Sequence, residues 1–184
     1  QDQYAAAFGG FNFMEFHADD RVIVNPLRIR ASTLNDLQSS LVLYYTAVSR
    51  DSAKIISEQI RNVTENSREA LNAMHRVKAE SYAMKEHLLT GDLKAFTLGI
   101  RQGWEDKKMT SSVVSNPEID QIFETARQAA ALAGKVSGAG GGGYIMFVID
   151  PCKREEVIRA LSTFPGNVHR FQFTGTGVET WTVD

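Results

Sequence analysis

Five glycines occupy six positions, Gly138 and Gly140 to Gly143, in the stretch "KVSGAGGGGYIMFVID". No other feature of the chain narrows its fold so sharply. Read as spelling, Gly138-x-Gly140-x-x-Gly143 is the dinucleotide fingerprint, which must open a helix so that the helix N-terminus faces the pyrophosphate. Here Tyr, Ile, Phe and Val dominate the residues that follow, and these favour a strand. The acidic residue expected about 20 positions on would be Glu155 or Glu156, which fall on a helical pattern rather than at a strand end. The dinucleotide reading fails on context. A Walker-type loop fails as well, because no Lys-Ser/Thr pair follows the glycines. Two readings stay open. The glycines form a turn between strands, supplying positive φ, or they let a ligand or another backbone approach the main chain. Extra glycines raise the entropy of the unfolded chain without adding packing, which favours the second.

The surrounding pattern predicts an α+β domain. "QYAAAF" favours a helix that Gly9-Gly10 stops. "FNFMEF" and "RVIVNPLRI", separated by "HADD", read as a hairpin. A polar stretch leads to "SLVLYYTAV" (Ser40 to Val48), apolar on both faces like a central strand. From Asp51 to about Lys108 the chain is helical, with stripes at Ile55, Ile56, Ile60 and Val63, at Leu71, Met74, Val77, Met84 and Leu88, and at Leu93, Phe96, Ile100 and Trp104. These stripes read as packing surfaces, and Asp92 as the cap of the last helix. Asn116-Pro117 opens a helix whose inward face is Ile119, Ile122, Phe123, Ala126 and Ala130, with Gly134 expected to end it. A short strand around Lys135 to Ser137, the glycine loop and "YIMFVI" follow. Asp150-Pro151 starts a further helix, with Val157, Ile158 and Leu161 inward, that is expected to run to Pro165-Gly166. "HRFQFT" and "VETWTV" read as two last strands. This order predicts an antiparallel sheet with helices on one face, a ferredoxin-like sandwich.

With 22 acidic against 20 basic residues and no basic block, neither a nucleic-acid footprint nor a polybasic membrane patch has support. No apolar run reaches the roughly 18 residues of a membrane span. The lone Cys152 excludes an internal disulfide and fits a reducing cytoplasm. It follows Pro151 at a helix start with no His near in sequence, a poor nucleophile setting. His17, His75, His87 and His169 lack metal-ligand spacing, and Asp19-Asp20 reads as a solvated turn. Lys107 and Lys108 have two readings, a solvated helix end or a contact to an anionic substrate. Asp2 likewise has two readings, the cap of its helix or an ionised base.

On these residues the chain resembles the GHMP small-molecule kinases. "KVSGAGGGGYIMFV" is similar to the glycine-rich third motif in their C-terminal domain. "QDQYAAAFGGFNFMEF" is similar to the segment that carries their catalytic Asp. Together with the Trp104 to Asn116 run, Trp-x-x-Lys-Lys then Val-Ser-Asn, the wording is that of the D-glycero-D-manno-heptose 7-phosphate kinase group. The resemblance implies an ATP- and magnesium-dependent sugar-phosphate kinase that phosphorylates an anomeric hydroxyl in the cytoplasm. It implies Asp2 as the catalytic residue, and Ser137, Gly138, Ala139, Gly140, Gly141, Gly142 and Gly143 as the loop against nucleotide or substrate phosphate. It also implies that residues 1–48 end an N-terminal domain and 49–184 form the C-terminal one. The family's Pro-x-x-Ser-Gly-Leu-Gly-Ser-Ser phosphate loop and the magnesium ligands are expected upstream, so the piece alone is expected to be inactive. Another acceptor sugar (galactose, fucose or hexosamine type) and a non-catalytic ligand-binding module stay open. Homo-oligomerisation is left open as well.

Overall fold

The computed structural model describes residues 1–48, 52–65 and 68–182. Helix α1 (Asp2–Phe8) ends where Gly9 takes φ 65° and its amide turns back to the Ala5 carbonyl at 3.0 Å. Strands β1 (Asn12–Phe16) and β2 (Val22–Pro26) pair antiparallel, Asn12 opposite Pro26 and Phe16 opposite Val22. The stretch that reads as merely polar is helix α2 (Ala31–Ser39). It turns only Thr33 and Leu37 fully inward, too few apolar positions to declare a period.

Strand β3 (Leu41–Tyr45) follows, then the helices α3 (Ser52–Thr64), α4 (Arg68–Thr90), α5 (Leu93–Lys108) and α6 (Pro117–Gln128). The two expected caps are made: Asp92 accepts from the Ala95 amide at 2.9 Å, and Asn116 from the Ile119 amide at 3.0 Å. Strands β4 (Ala131–Val136) and β5 (Tyr144–Ile149), a 3-10 turn (Pro151–Lys153), α7 (Arg154–Leu161) and β6 (Asn167–His169) complete the chain. The last four-stranded sheet is antiparallel throughout, in the order β4-β5-β3-β6. Its centre is β5 and β3, as the doubly apolar "LVLYY" requires.

Strand alternation gives the sheet two apolar faces. Val42, Tyr44, Val136, Ile145, Phe147 and Ile149 face the inward stripes of α6 and α7, Ile119, Ile122, Ala126, Val157 and Leu161. Leu41, Ala133 and Val148 face the other way, against Leu37 of α2, Phe96 and Ile100 of α5 and half-buried Met84 and Leu88 of α4. So the ferredoxin-like layer has α6 and α7 on one face, and the added helices cover the other. Each fully buried Ile, Leu or Phe here contributes about 1.5–3 kcal/mol. Trp104 reaches round to the first core and stacks on Phe123, ring centroids 5.2 Å apart and 9° from parallel.

Four local expectations need correction. Gly134 does not end α6, which stops at Gln128 with Ala130 at φ 72°. Gly134 lies inside β4, where a Cβ would meet Phe147 Cδ1 at 2.7 Å, so its glycine makes room for an aromatic ring. Ile56, Ile60, Leu71 and Met74 are exposed, and the inward residues of α3 and α4 there are Ile55, Ala70 and Ala73. Small residues let the α4 turn approach closely, and no hydropathy stripe marks that. Helix α7 ends at Leu161, four residues before Pro165. "HRFQFT" pairs only through His169, and "VETWTV" is not a strand over its described residues, with Val178 and Trp181 71% and 80% exposed. Instead residues 171–178 strap the chain's start: Phe173 meets Phe11 edge-on at 4.9 Å, the Gly10 amide donates to Thr174, and the Val178 amide to Ala7.

Candidate active site

The glycine loop connects two antiparallel neighbours. The ladder's last pair is Val136–Ile145, and the Ser137 amide closes it on the Tyr144 carbonyl at 2.8 Å. In the six residues left, all five glycines have positive φ: 71° at Gly138, 113° at Gly140, 73° at Gly141, 152° at Gly142 and 83° at Gly143. The loop is also docked on two flanking segments. The Gly141 amide donates to the Val114 carbonyl at 2.7 Å. The Gly143 amide donates to Val48 O at 3.0 Å and to the buried Thr46 Oγ1 at 3.0 Å, while the Thr46 amide returns a bond to Gly143 O at 2.9 Å. A Cβ on Gly140 would sit 2.7 Å from Val114 O. This answers why one or two glycines would not suffice: another backbone does lie within main-chain distance. After these bonds the amides of Gly138, Ala139, Gly140 and Gly142 have no acceptor among the described residues. Unspent amides in left-handed loop geometry attract anions without a side-chain charge.

Two lysines flank the start of this loop. Lys107, in the last turn of α5, donates from Nζ to the Gly138 carbonyl. Lys135 leaves β4 two residues before Ser137, on the face opposite Val136. Burial first, and the neighbouring charge of Lys135 second, press the Lys107 ammonium down to about 8; the carboxylate of Asp2 pulls the other way. Burial also lowers Lys135. Asp2, Lys107, Lys135 and the glycine loop therefore share one electrostatic neighbourhood, though they come from α1, α5, β4 and the β4–β5 turn. Asp2 is exposed in the first turn of α1, whose N-cap position is taken by Gln1, so Asp2 is not itself the cap. It also lines a groove of about 510 Å³ with Ala5, Asn12, Phe13, Met84, Lys85 and Phe96.

The two lysines that read alike in sequence part company. Lys108 pairs with Glu105 at 2.9 Å, as a helix end does, while Lys107 joins the loop. Lys135 and Thr46 carry no motif signal, whereas Val114 opens the Val-Ser-Asn run. A lysine in a short, otherwise apolar strand was the one available hint. Ser137 is exposed beside the loop. Cys152 is exposed, its amide held by Asp150 at 2.9 Å. His169 rests on Tyr144, and Asp19 lies 3.8 Å from Arg21. Among the described residues, no group of three His, Cys, Asp or Glu side chains is placed to hold a metal ion, and no helix is long and apolar enough to cross a membrane.

An antiparallel α+β layer with a docked, amide-rich glycine loop defines a class, and comparison with known proteins agrees on it. Residues 82–167 match the family model described as GHMP kinases C terminal. The chain is 43% identical, over 183 residues and its whole length, to D-glycero-alpha-D-manno-heptose 7-phosphate kinase of Campylobacter jejuni, of which it covers 53%. A solved structure of a D-glycero-D-manno-heptose 1-phosphate kinase from Bacteroides thetaiotaomicron superposes with TM-score 0.70 at 38% identity, over 99% of this chain and 48% of that one. The fold extends to mevalonate kinase of L. major, TM-score 0.72 at 18% identity, over 88% of this chain and 47% of that one. The chain thus spans about half the length of these relatives.

Proposed function

We propose that the chain is the C-terminal part of an ATP-dependent sugar kinase that phosphorylates the anomeric hydroxyl of a heptose 7-phosphate. The observation that carries this reading is whole-chain identity to a named heptose 7-phosphate kinase at 43%, which includes the Asp2 segment and the glycine loop in one alignment. The relative's substrate is the source of the acceptor assignment. Neither another sugar class nor a non-catalytic module has a comparable argument.

Phosphoryl transfer is mainly positioning and charge neutralisation. As the acceptor hydroxyl oxygen bonds to the γ-phosphorus, the bond to the β-bridging oxygen breaks. Asp2 orients that hydroxyl and takes its proton, a role open to an exposed carboxylate in the first turn of α1. Ser137 and the free amides of Gly138, Ala139, Gly140 and Gly142 offer donors to phosphate oxygens, while Gly141 and Gly143 hold the loop's shape. Magnesium, when bound, would neutralise phosphate charge. The described residues offer no ligand set for it, and its ligands are proposed to lie outside this chain. In domain terms, residues 1–48 close the first domain and 49–184 form the second, with β3 then lent across the division.

Asp2→Asn in the full-length protein tests this. Transfer should fall by about 10²–10⁴-fold, as for loss of a general base, with nucleotide affinity by calorimetry near wild type. Undiminished turnover would remove Asp2 from the role.

A further inference from the structure

Helix α3 turns much of its polar side inward. Ile56 and Ile60 are exposed, while Glu58, Gln59 and Asn62, which share one face of the helix, are half-buried. All three polar side chains reach the same place, the irregular segment 110–115 between α5 and α6. Gln59 Nε2 donates to Thr110 Oγ1 at 2.7 Å, and Asn62 Nδ2 to the Thr110 carbonyl at 3.0 Å. The Glu58 carboxylate accepts from Ser111 Oγ at 2.8 Å and from Ser112 Oγ at 3.4 Å. Thr110 and Ser111 are themselves buried, so these bonds are sheltered from water. From there the contacts continue to the glycine loop. The Val114 amide donates to Ser111 O at 3.3 Å, and Val114 O accepts from the Gly141 amide at 2.7 Å. Val114 also lies against Gly140 too closely to leave room for a Cβ. Glu58, Ser111, Val114 and Gly141 thus form one unbroken line of hydrogen bonds from α3 to the loop.

We propose that Glu58 is a positioning residue for phosphoryl transfer: through Ser111 it fixes Val114, and Val114 fixes the glycine loop, while Gln59 and Asn62 hold the neighbouring Thr110. A half-buried carboxylate is a poor anchor where only packing is needed, because an apolar side chain would hold α3 without the desolvation cost. What the carboxylate adds is direction, since a charge-assisted hydrogen bond is short, strong and oriented. Glycines have little conformational preference of their own. Amides in such a loop stay aimed only if the wall beside them is stiff, and aimed donors are what a developing charge requires. The coupling of α3 to the loop stands on these contacts alone; its consequence for transfer rests on the kinase reading.

Hydrogen exchange in the full-length protein, followed by mass spectrometry over residues 138–144, reads the coupling without any turnover. Glu58→Ala should speed exchange there about tenfold, the scale of one charged hydrogen bond. Glu58→Gln keeps an acceptor for Ser111 and should restore most of the protection. In steady-state assays kcat should fall by a similar factor in Glu58→Ala, with both KM values near wild type, and recover in Glu58→Gln. Ile55→Val is the control. It thins the buried side of the same helix, so it should lower the thermal midpoint while leaving loop exchange and kcat unchanged. Should Glu58→Ala not fold, Ser111→Ala breaks the same bond from the other side and carries the same expectations. Loop exchange equal in wild type and Glu58→Ala overturns the proposal. So does faster exchange with undiminished kcat, or an Ile55→Val variant as impaired as Glu58→Ala. A wild type that phosphorylates no sugar, with exchange still faster in Glu58→Ala, would overturn the kinase reading and leave the coupling of α3 to the loop standing.

Discussion

Lys107 illustrates how one side chain changes meaning between sequence and structure. In sequence it is half of a Lys-Lys pair at a helix end, where cations are favoured in any soluble protein. In the fold it turns onto Gly138 and faces Lys135 and Asp2. Its proton is held less tightly in the folded state, about 8 against an ordinary 10.5, and that has a sign. Below about pH 8 the ammonium is charged in both states and the folded state carries the full cost of burying it. Between about 8 and 10.5 the unfolded chain binds more protons, so this group's contribution raises stability as pH increases. Urea unfolding at pH 7.5 and 9.5 should show Lys107→Met gaining most over wild type at the lower pH. An advantage independent of pH would mean that its ammonium is not perturbed. The loop's glycines were legible as a group but not one by one. Gly140→Ala brings a Cβ to 2.7 Å from a backbone oxygen at φ 113° and should cost more than about 2 kcal/mol. Gly138→Ala meets open space at φ 71° and should cost about 1 kcal/mol. Equal thermal shifts for the two would show that the Val114 contact does not constrain the loop.

Helix starts were the most legible elements, because N-capping is written in adjacent residues. Asp92 and Asn116 both accept the third amide of their helices, and Asn116→Ala should cost about 1 kcal/mol in denaturant unfolding; a change below a few tenths would mean that α6 draws nothing from its cap. The continuous apolar run of β5 was equally plain, since burial on both faces leaves no alternation to misread. What failed depends on partners distant in sequence. Gly134 looks like a helix stop until Phe147 from the next strand is placed over it. Leu71 and Met74 keep a helical period but turn outward, while Ala73, which no hydropathy pattern would single out, is fully buried. "VETWTV" has strand-forming residues without a sheet edge to receive them, and propensity alone does not make a ladder. The candidate site divides the same way: the loop could be read locally, whereas Lys135, Thr46 and Val114 join it only through tertiary contact.

At the level of the whole chain, the order of elements reads out an α+β layer and the doubly apolar run of β3 marks that strand as central, but neither tells which strands flank it. Central β3 comes from residues 41–45, ahead of the 82–167 family match and separated from its ladder partners β5 and β6 by about a hundred residues of helix, loop and strand. Its five-residue pairing with β5 and the burial of Leu41, Val42 and Tyr44 between two layers mean that neither side of this strand can be covered without it. The covalent link between Val48 and Ser52 is therefore not what joins the two portions. Produced as separate polypeptides, residues 1–48 and 52–184 should recognise each other, the short piece adding its strand to an incomplete sheet much as an edge-seeking peptide does. Co-expression with a tag on one piece reads this directly: recovery of both in one to one ratio is expected, and Tyr44→Asp in the short piece should abolish it. The protein would then serve as a split reporter, its reassembly governed by one buried strand.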